Sequence, residues 1–533
     1  MNEIAATSGT AELAEPYLRQ VLGAAGLAVE YVRAEGNTLY QQHADGTEVP
    51  VTDFAGGYGS VLLGHNHPEI IERARELLAE QTPVHAQFSR HPYANDLAAE
   101  LNRIIHRELD VDEPYFAIFG NSGAEAVEAA VKHAELDRGM RISDLLADIE
   151  AGFGVAREAV ATRAATVPGR TPARLGLARP ADDNDVLDLL EAEIRRLNEE
   201  SAATPPLFLA LEGGFHGKLA GSVQLTHNEG YRLPFKSLAA QARFVPHGRP
   251  EVLKEIHTEE RRVLLGLAVT DGEITVTERE LPVFCAFLVE PIQGEGGIHV
   301  LTPEFAQEIQ EFCAEVDCPV VVDEIQSGMG RTGMLLASSR LGLRGDYYTL
   351  AKTLGGGIAK TSVMLVRKAR YRREFEIVHS STFAKDSFSC HIALKVLEIL
   401  ERDGGRAYRR AEERGEKLRA ELDAVHADFP DVVKEVRGQG LMLGLEFHDQ
   451  SDASSPELRE LAGSGLFGYF LAGHLLRRHR VRTFPTASAL NTLRFEPSID
   501  VTNADIERLG GGLRDVCTLL RKGAGEVLAS SGD

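Results

Sequence analysis

The chain has 533 residues, and its 57 lysines and arginines against 80 aspartates and glutamates give a formal net charge of −23. With 43% hydrophobic and 26% charged residues, the composition is that of a soluble globular protein and excludes long disorder, fibrous repeats and a membrane protein. The acidic balance disfavours nonspecific nucleic-acid binding, because like charges repel. The five cysteines form no C-x-x-C pair, and residues 1–20 lack a basic start and an apolar core. We therefore expect no disulfide framework, no signal peptide and a cytoplasmic location.

Short elements fill the first 135 residues. Residues 37–53 are typical of strands around a turn at 44–46, and helical periodicity follows in 68–82 and 94–109. An apolar run at 114–120 predicts a buried strand, which is followed by Asn-Ser-Gly and a clearly helical segment. A strand, a turn of small residues and a helix form the local arrangement that binds an anion at a helix N-terminus.

The composition changes after about residue 135. Residues 136–205 are rich in Ala, Arg, Glu and Asp, and they contain a Pro/Gly/Arg stretch at 167–180. This pattern predicts an insertion of surface helices around a mobile loop. An active-site cover or a subunit contact is the alternative, and nothing in the segment indicates catalysis.

From residue 207 onward, apolar strands alternate with helices. Strands that are apolar on both faces and alternate with helices indicate a largely parallel sheet covered on both sides. In the last 150 residues, helices at 388–425 and 456–480 combine with short strands at 432–448 and 491–496. The predicted fold is therefore α/β, with a large domain built on a mostly parallel sheet and a smaller α+β domain.

Two residues at the ends of apolar segments carry reactive groups. Asp323 ends the run Pro-Val-Val-Val, and the carboxyl ends of parallel strands are where α/β sheets bind ligands. Lys352 ends a second apolar run and precedes a glycine-rich turn. A lysine in a dry pocket loses its proton readily and becomes a nucleophile toward carbonyl groups.

Several motifs in a fixed order complete the pattern, and together they resemble the class III (ornithine/4-aminobutyrate/acetylornithine type) aminotransferases, which use pyridoxal 5′-phosphate. The resemblance implies a fold-type I enzyme. It implies a small domain made from residues 1–65 and 379–533 and a large cofactor-binding domain at 66–378. The motifs are DFAGGYGSVLLGHNHP, GNSGAEAVEAAVK, GGFHG, EPIQGEGG, DEIQSGMGRTG, AKTLGGG, HSSTF and RGQGLMLG.

The resemblance assigns roles around the cofactor ring. Lys352 matches the lysine that binds the cofactor aldehyde and then carries a proton from the substrate Cα. Asp323 matches the acid that keeps the pyridine nitrogen protonated, so that the ring accepts electrons. Gln326 matches the residue near the ring hydroxyl, while Ile325 and Phe215 are implied on its two faces.

The resemblance also implies a phosphate site and a second subunit. Ser122, Gly123 and Ala124 match the residues at the helix start that bind the phosphate. His216, from the same motif as Phe215, is counted among the cofactor-binding residues. Thr382 matches a threonine that reaches the phosphate of the neighbouring site, which implies a homodimer.

Substrate binding is implied at Arg494, which matches the family's arginine for the substrate α-carboxylate. Glu295 matches the glutamate that pairs with this arginine and masks it. Tyr58, Phe54 and Phe88 stand where the family lines its substrate pocket. A structural ion pair between Glu295 and Arg494 is the alternative interpretation.

The predicted reaction is a ping-pong transamination, in which an amino acid donor gives its amino group to an aldehyde or keto acid acceptor. A racemase, an aminomutase or a decarboxylase on the same scaffold is the first alternative, and a non-catalytic scaffold protein is the second. The chain departs from the family at 358–361 and at 384–388, near the cofactor and the dimer contact. These departures, with the insertion, predict an unusual substrate of specialised metabolism. No metal is predicted, since the His65-Asn66-His67 pattern has no further ligands nearby.

Overall fold

The computed structural model describes residues 14–43, 45–86, 89–238 and 241–529. Within these ranges the chain forms helices α1 to α16 and strands β1 to β19, numbered in chain order. The helices are Pro16–Ala24, Gly56–Gly59, Pro68–Ala79, Pro92–Leu109, Gly123–Ala161, Arg170–Arg174, Asp183–Ala202, Glu229–Arg232, Glu251–Glu260, Pro303–Glu315, Phe375–Val378, Ser387–Asp428, Pro456–Gly463, Phe467–His479, Asn503–Arg521 and Gly525–Ala529. The strands are Tyr31–Glu35, Thr38–Gln42, Glu48–Asp53, Tyr115–Gly120, Leu207–Leu211, Gln241–Val245, Val263–Thr270, Glu273–Glu280, Phe284–Val289, Ile292–Gln293, His299–Val300, Val320–Asp323, Tyr347–Leu350, Ser362–Arg367, Val433–Gln439, Met442–Phe447, Val481–Arg482, Phe484–Pro485 and Thr492–Phe495.

A seven-stranded sheet in the order β4-β14-β13-β12-β9-β5-β6 forms the centre of the fold. Six of its strands run in the same direction, and β14 runs antiparallel between β4 and β13. Every residue of β5, β9, β12 and β13 is buried. Strands covered on both faces are favoured when the sequence is predominantly apolar, as it is in these four apart from Asp323 and Thr349. The α/β class and the mostly parallel sheet expected from the sequence are thus confirmed.

Two smaller sheets draw on both ends of the chain. One has the order β1-β2-β3-β17, in which Val481 of β17 lies opposite Thr52 of β3 in a parallel pair. The other has the order β15-β16-β19-β18 and is antiparallel. The C-terminal strands and helices predicted from the sequence are present, but the helix expected at 456–480 is two helices, because Gly465 adopts a left-handed conformation between them with φ of 71°.

The expected insertion differs from its sequence prediction. Its first part, residues 136–161, continues α5 without interruption, so that this helix has 39 residues. The hairpin of β7 and β8, which the sequence analysis did not predict, packs on α5 and α7. Residues 167–180 are not a bare loop: they include α6, and Arg174 donates to the carbonyl of Val276 at 2.8 Å. The segment is an ordered lobe built around the far end of α5.

The five cysteines are all buried with free thiols. They lie in four helices or strands and in one connecting segment, at Cys285 in β9, Cys313 in α10, Cys318 before β12, Cys390 in α12 and Cys517 in α15. Among the described residues, no helix combines the length and the apolar character that crossing a membrane would require.

Candidate active site

A cavity of about 430 Å³ opens at the carboxyl ends of the central strands. Its walls come from the start of α5, the loop after β5, the segment after β9 and the ends of β12 and β13. Ligand sites of open α/β sheets occur at this edge, because the connecting loops diverge there. The lining residues are Ser60, Asn121, Ser122, Gly123, Ala124, Phe215, His216, Gly217, Glu290, Glu295, Asp323, Ile325, Gln326, Ala351, Lys352, Gly357, Ala359, Lys360 and Thr361.

Asp323 ends β12 and is held by three donors. The Nδ1 of His216 lies 2.8 Å from its Oδ2, and the amide of Ile325 and the hydroxyl of Thr349 each donate to its Oδ1 at 3.2 Å. Burial lowers the pKa of His216, but the hydrogen bond to Asp323 and the charge of that carboxylate outweigh burial and raise it overall. The pair is therefore a buried site with a negative electrostatic potential. This potential favours a proton on any basic group beside it.

Glu290 lies directly behind this pair. Its carboxylate accepts hydrogen bonds from the amides of Phe215 at 2.8 Å and Gly294 at 3.0 Å. Burial raises the pKa of Glu290 to about 7, and the nearby charge of Asp323 adds to the effect. The carboxyl group of Glu290 can therefore exchange a proton near neutral pH at the back wall of the cavity.

Lys352 follows β13 in an unusual backbone conformation. Its φ is 49°, in the left-handed region that side chains rarely adopt. The next residue, Thr353, donates its hydroxyl to the carbonyl of Gly59 at 2.9 Å and holds this conformation. The amine has no hydrogen-bond or ion-pair partner among the described residues. Burial lowers the pKa of Lys352, although Glu496 and Glu295 oppose this effect, so a neutral and nucleophilic amine is favoured.

The N-terminus of α5 faces the cavity. Ser122 is the N-cap of this helix, and a reciprocal pair of hydrogen bonds joins it to Glu125. Within the described structure, the amides of Gly123 and Ala124 donate no hydrogen bond. A methyl group on Gly123 would lie 2.9 Å from the Ile325 side chain, so the close packing of Ile325 against the start of the helix favours glycine here. Free amides at the start of a long helix bind a phosphate group well.

Arg494 and Glu295 form a buried ion pair at the other side of the cavity. The guanidinium donates to both carboxylate oxygens of Glu295, with 2.5 Å between Nη1 and Oε1. The amide of Ala487 also donates to Glu295 Oε2 at 2.8 Å. Burial lowers the pKa of Arg494 and raises that of Glu295, but their mutual attraction reverses both shifts. A guanidinium in this geometry is built to hold a carboxylate with two hydrogen bonds.

Tyrosines surround this ion pair on its open side. The ring of Tyr58 lies 5.0 Å from the Arg494 guanidinium carbon and stacks on Phe484 at 5.9 Å. The ring of Tyr231 meets Phe215 edge-on at 6.3 Å. Burial raises the pKa of Tyr469, and the charges of Tyr58 and Tyr231 add to the effect. The approach to Arg494 is aromatic on several sides.

Comparison with known proteins decides the family. A family model described as aminotransferase class III matches residues 23–489. The chain belongs to the class III aminotransferase family. Members of this family use pyridoxal 5′-phosphate, so the protein is a pyridoxal-phosphate-dependent aminotransferase, as its sequence motifs predicted.

Solved structures share the fold of this aminotransferase. Ornithine aminotransferase from Toxoplasma gondii ME49 is 20% identical with a TM-score of 0.64, covering 93% of this chain and 91% of its own. Ornithine aminotransferase from Plasmodium yoelii is 19% identical with a TM-score of 0.60, over 92% and 94%. A thermostable omega transaminase variant, engineered for the synthesis of enantiopure bulky amines, is 19% identical with a TM-score of 0.66, over 97% and 98%.

The residues of the cavity fit the family's cofactor. Its phosphate needs hydrogen-bond donors, which the free amides at the start of α5 supply. Its pyridine nitrogen needs an acid, which the Asp323–His216 pair could provide, and its aldehyde needs a nucleophilic amine, a role that suits Lys352 because burial lowers its pKa. The methyl group that Gly217 lacks would lie 2.8 Å from the Ala124 side chain, so the loop after β5 can pack closely against the start of α5.

Not every residue predicted for the aminotransferase site lies in the cavity. Ile325 and Gln326 line it, but Phe54 is fully buried and packs edge-on against Phe495 at 6.2 Å. Thr382 is exposed and does not line the cavity of its own chain. Phe88 lies outside the described residues.

Sequence reasoning missed Glu290 and Glu496 as site residues. Glu290 comes directly after the apolar strand β9, a signal close to the one that singled out Asp323, whereas Glu496 follows β19, which contains Thr492 and Arg494 and gives no such signal. The tyrosines at 231 and 469 gave no signal, because they lie in segments without a motif. Their place at Arg494 depends on packing between distant parts of the chain.

A separate cluster of possible metal ligands lies in the C-terminal part. His474 and His479 each place Nε2 within 2.9 Å of Asp515 Oδ2, and the three ligand atoms lie within 4.8 Å of one another. Its ligands come from α14 and α15, and none of them lines the aminotransferase cavity. The two hydrogen bonds to one carboxylate join these helices.

Proposed function

We propose that the cavity is the site where this aminotransferase binds pyridoxal phosphate and substrate. The observation that carries the proposal is that an unpartnered, pKa-lowered Lys352, the Asp323–His216 pair and the free amides of α5 line one cavity. Lys352 would hold the cofactor covalently, with Ser122, Gly123 and Ala124 at its phosphate. Gln326 would lie near the ring hydroxyl, with Ile325 and Phe215 at its faces.

Each residue of the cavity would have a separate role in transamination. The bound ring supplies an electron sink for the carbanion that forms at the substrate Cα. Asp323 holds a proton at the pyridine nitrogen, and His216 holds Asp323 in place. After the substrate amine has replaced Lys352 on the cofactor, the freed Nζ of Lys352 would take the proton from the substrate Cα. Two substrates would use the site in turn, as a ping-pong mechanism requires: an amino acid donor first, and an aldehyde or keto acid second.

Glu295 and Arg494 would select between these substrates. A substrate α-carboxylate needs the guanidinium, so Glu295 must leave it, whereas a substrate without that carboxylate leaves the ion pair closed. The departures from the family at 358–361 support an unusual acceptor or donor of specialised metabolism, since Lys360 and Thr361 line the cavity.

The active unit would be a cytoplasmic homodimer with Thr382 of each subunit at the neighbouring site. Support comes from Ile377, Val378 and Phe383, which are 88%, 66% and 61% exposed in the single chain and lie close to Thr382 in sequence. Each subunit would have a large domain at 66–378 and a small domain from 1–65 and 379–533. The pairing of β17 with β3 supports a domain made from both chain ends.

A spectroscopic experiment tests the assignment. The visible spectrum of the purified protein is recorded before and after glutamate, ornithine, lysine or alanine, and borohydride-reduced protein is then mapped by mass spectrometry. We expect a yellow protein, one donor that bleaches it, an acceptor that restores the colour and a cofactor adduct on Lys352.

Lys360 provides the matched control, because it lines the same cavity but is exposed. K360A should keep the adduct and K352A should lose it. An adduct on Lys360 would overturn the assignment of Lys352. A yellow protein that no donor bleaches would instead favour a racemase, aminomutase or decarboxylase, and a protein that never takes up the cofactor would refute the proposal.

A further inference from the structure

Glu496 is a fully buried carboxylate behind the cavity wall. It follows β19 directly, two residues after Arg494, and has no exposed surface. Gln326 Nε2 lies 2.9 Å and 3.0 Å from its two oxygens, so the amide of Gln326 donates to it. A methyl group on Gly59 would lie 3.1 Å from Glu496 Oε1, so the glycine leaves space for the carboxylate. The Glu496 carboxylate is thus buried and fixed by hydrogen bonds from Gln326 to both of its oxygens.

Glu496 is also a second anion beside Arg494. Its Oε2 lies 3.9 Å from Arg494 Nη1, on a guanidinium that already donates to Glu295. The two carboxylates differ in their surroundings, because Glu295 lines the cavity and Glu496 does not. An incoming ligand can therefore reach Glu295, whereas Glu496 is shielded from the cavity beside Arg494.

The other cations near Glu496 do not neutralise it fully. Arg331 is the nearest buried guanidinium outside the pair, and it donates to the carbonyls of Leu441, Pro497 and Gly59 rather than to a carboxylate. The attraction of Glu496 raises the pKa of Arg331, but burial lowers it more. The Lys352 amine also feels Glu496, more strongly than it feels Glu295. Glu496 thus offsets part of the positive charge that Arg494 presents to an approaching anion.

We propose that Glu496 is a specificity-determining residue: as a fixed counter-ion of Arg494, it weakens the binding of α-carboxylates and directs the enzyme to amines and aldehydes without a carboxylate on the reacting carbon. The inference rests on the proposed function of the cavity. Glu496 acts through Arg494 and does not touch the substrate. The tyrosines around Arg494 fit such a substrate, since they offer aromatic surface rather than further cations.

The test compares Glu496→Gln with the wild type. The amide keeps one acceptor oxygen for Gln326, replaces the other with an NH2 group and removes the charge. Calorimetric titration of the holoenzyme with 2-oxoglutarate should give a Kd that is about tenfold lower in E496Q, because the guanidinium is then free of its second anion once Glu295 leaves. The kcat/KM for an aldehyde such as benzaldehyde should stay within about twofold, so that the acceptor preference shifts toward the keto acid.

Glu324→Gln is the matched control. Glu324 is equally buried but accepts from Ser327 and Ser338 and has no contact with Arg494, so its variant should leave the Kd of 2-oxoglutarate unchanged. If E496Q unfolds at a much lower temperature than the wild type, Glu496→Ala removes the same charge. The same decrease in the Kd of 2-oxoglutarate is expected for it. An unchanged or higher Kd in the folded variant would overturn the inference.

The wild type gives a further measurement that needs no variant. It should transfer amino groups from a primary amine without an α-carboxylate at least about tenfold more efficiently than from glutamate or alanine. A preference for the α-amino acids would overturn the inference while leaving transamination intact. A protein that holds cofactor but transaminates no pair of substrates would overturn the proposed function and this inference together.

Discussion

His133 shows how one buried side chain can set the stability of the protein in acid. On α5, its Nδ1 lies 2.9 Å from the Tyr347 hydroxyl, and its Nε2 accepts from the amide of Arg372 at 3.1 Å. Since Nε2 accepts a hydrogen bond, the ring is neutral and carries its proton on Nδ1. Burial lowers the pKa of His133 to about 4, and the charge of Arg372 adds to this effect while Asp137 opposes it.

The free energy of unfolding should therefore depend on pH through this residue. A histidine whose pKa falls on folding contributes full stability above its unfolded pKa of about 6.5 and loses it as the pH drops toward 4. We expect urea titrations to show a loss of about 3 kcal/mol over this range that is absent in H133Q. The exposed His448 gives the control variant H448Q, which should keep the full pH dependence. Identical profiles for H133Q and the wild type would contradict the prediction.

Asp323 offers a second test at the residue scale. In D323N the carboxylate becomes an amide, so a proton at the pyridine nitrogen is no longer favoured and His216 loses the partner that raises its pKa. We expect kcat/KM to fall by roughly 100-fold or more and the cofactor to dissociate more readily. NMR titration should also find a lower pKa for His216. D317N, at an acid near the protein surface, should change none of these values, and retained activity in D323N would refute its proposed role.

The sequence predicted the residues that stand next to a strong local signal. Asp323 and Lys352 each end an apolar run, and the order of the motifs identified their chemistry. Glu496 instead follows Thr-Leu-Arg-Phe, which is not an apolar run, and its role depends on Gln326, which lies 170 positions away in the chain. Periodicity and motifs describe neighbours along the chain, so they could not show which of the buried carboxylates would meet Arg494.

At the scale of helices and strands, alanine substitutions at two glycines in helix interiors should change the free energy of unfolding in opposite directions. A methyl group on Gly415 of α12 would lie 2.4 Å from the backbone of Gly440, whereas one on Gly139 of α5 would meet nothing within 4 Å. G415A should lower the free energy of unfolding by about 2 kcal/mol, because the turn at Gly440 must move. G139A should raise it by up to about 1 kcal/mol, because alanine loses less backbone entropy in a helix. Equal effects in chemical denaturation would show that the contact with Gly440 is unimportant.

Helices and strands were predicted correctly where one hydrophobic pattern ran through the whole element. They were predicted wrongly where the pattern changed within the element. The central strands were found from continuous apolar runs, which only a sheet covered on both faces explains. The composition change near residue 135 was interpreted as a boundary, yet α5 continues to Ala161, because a change of surface residues does not end a helix. The β7–β8 hairpin was missed because its strands bury side chains against α5 and α7, which sequence spacing cannot reveal.

At the scale of the whole molecule, the central prediction is that the protein forms a dimer. Ile377 on α11 is 88% exposed in the single chain and lies near Phe383, so a charge there should oppose association. We expect I377E to shift the protein from dimer to monomer in light scattering and to lower its activity, since Thr382 would then miss the neighbouring site. V155E, at an exposed apolar residue in the insertion lobe, should remain dimeric. If I377E remains a dimer, the contact between the subunits lies elsewhere than at Ile377.

The five buried thiols also allow local unfolding of the protein to be measured. A thiol reagent cannot reach them in the folded chain, so the rate of alkylation measures how often each region unfolds. Cys285 reports on the central sheet and Cys517 on α15, close to the C-terminus. If the two proposed domains open separately, mass spectrometry of briefly labelled protein will find Cys517 modified before Cys285. Cofactor added before the pulse should then slow the labelling of Cys285.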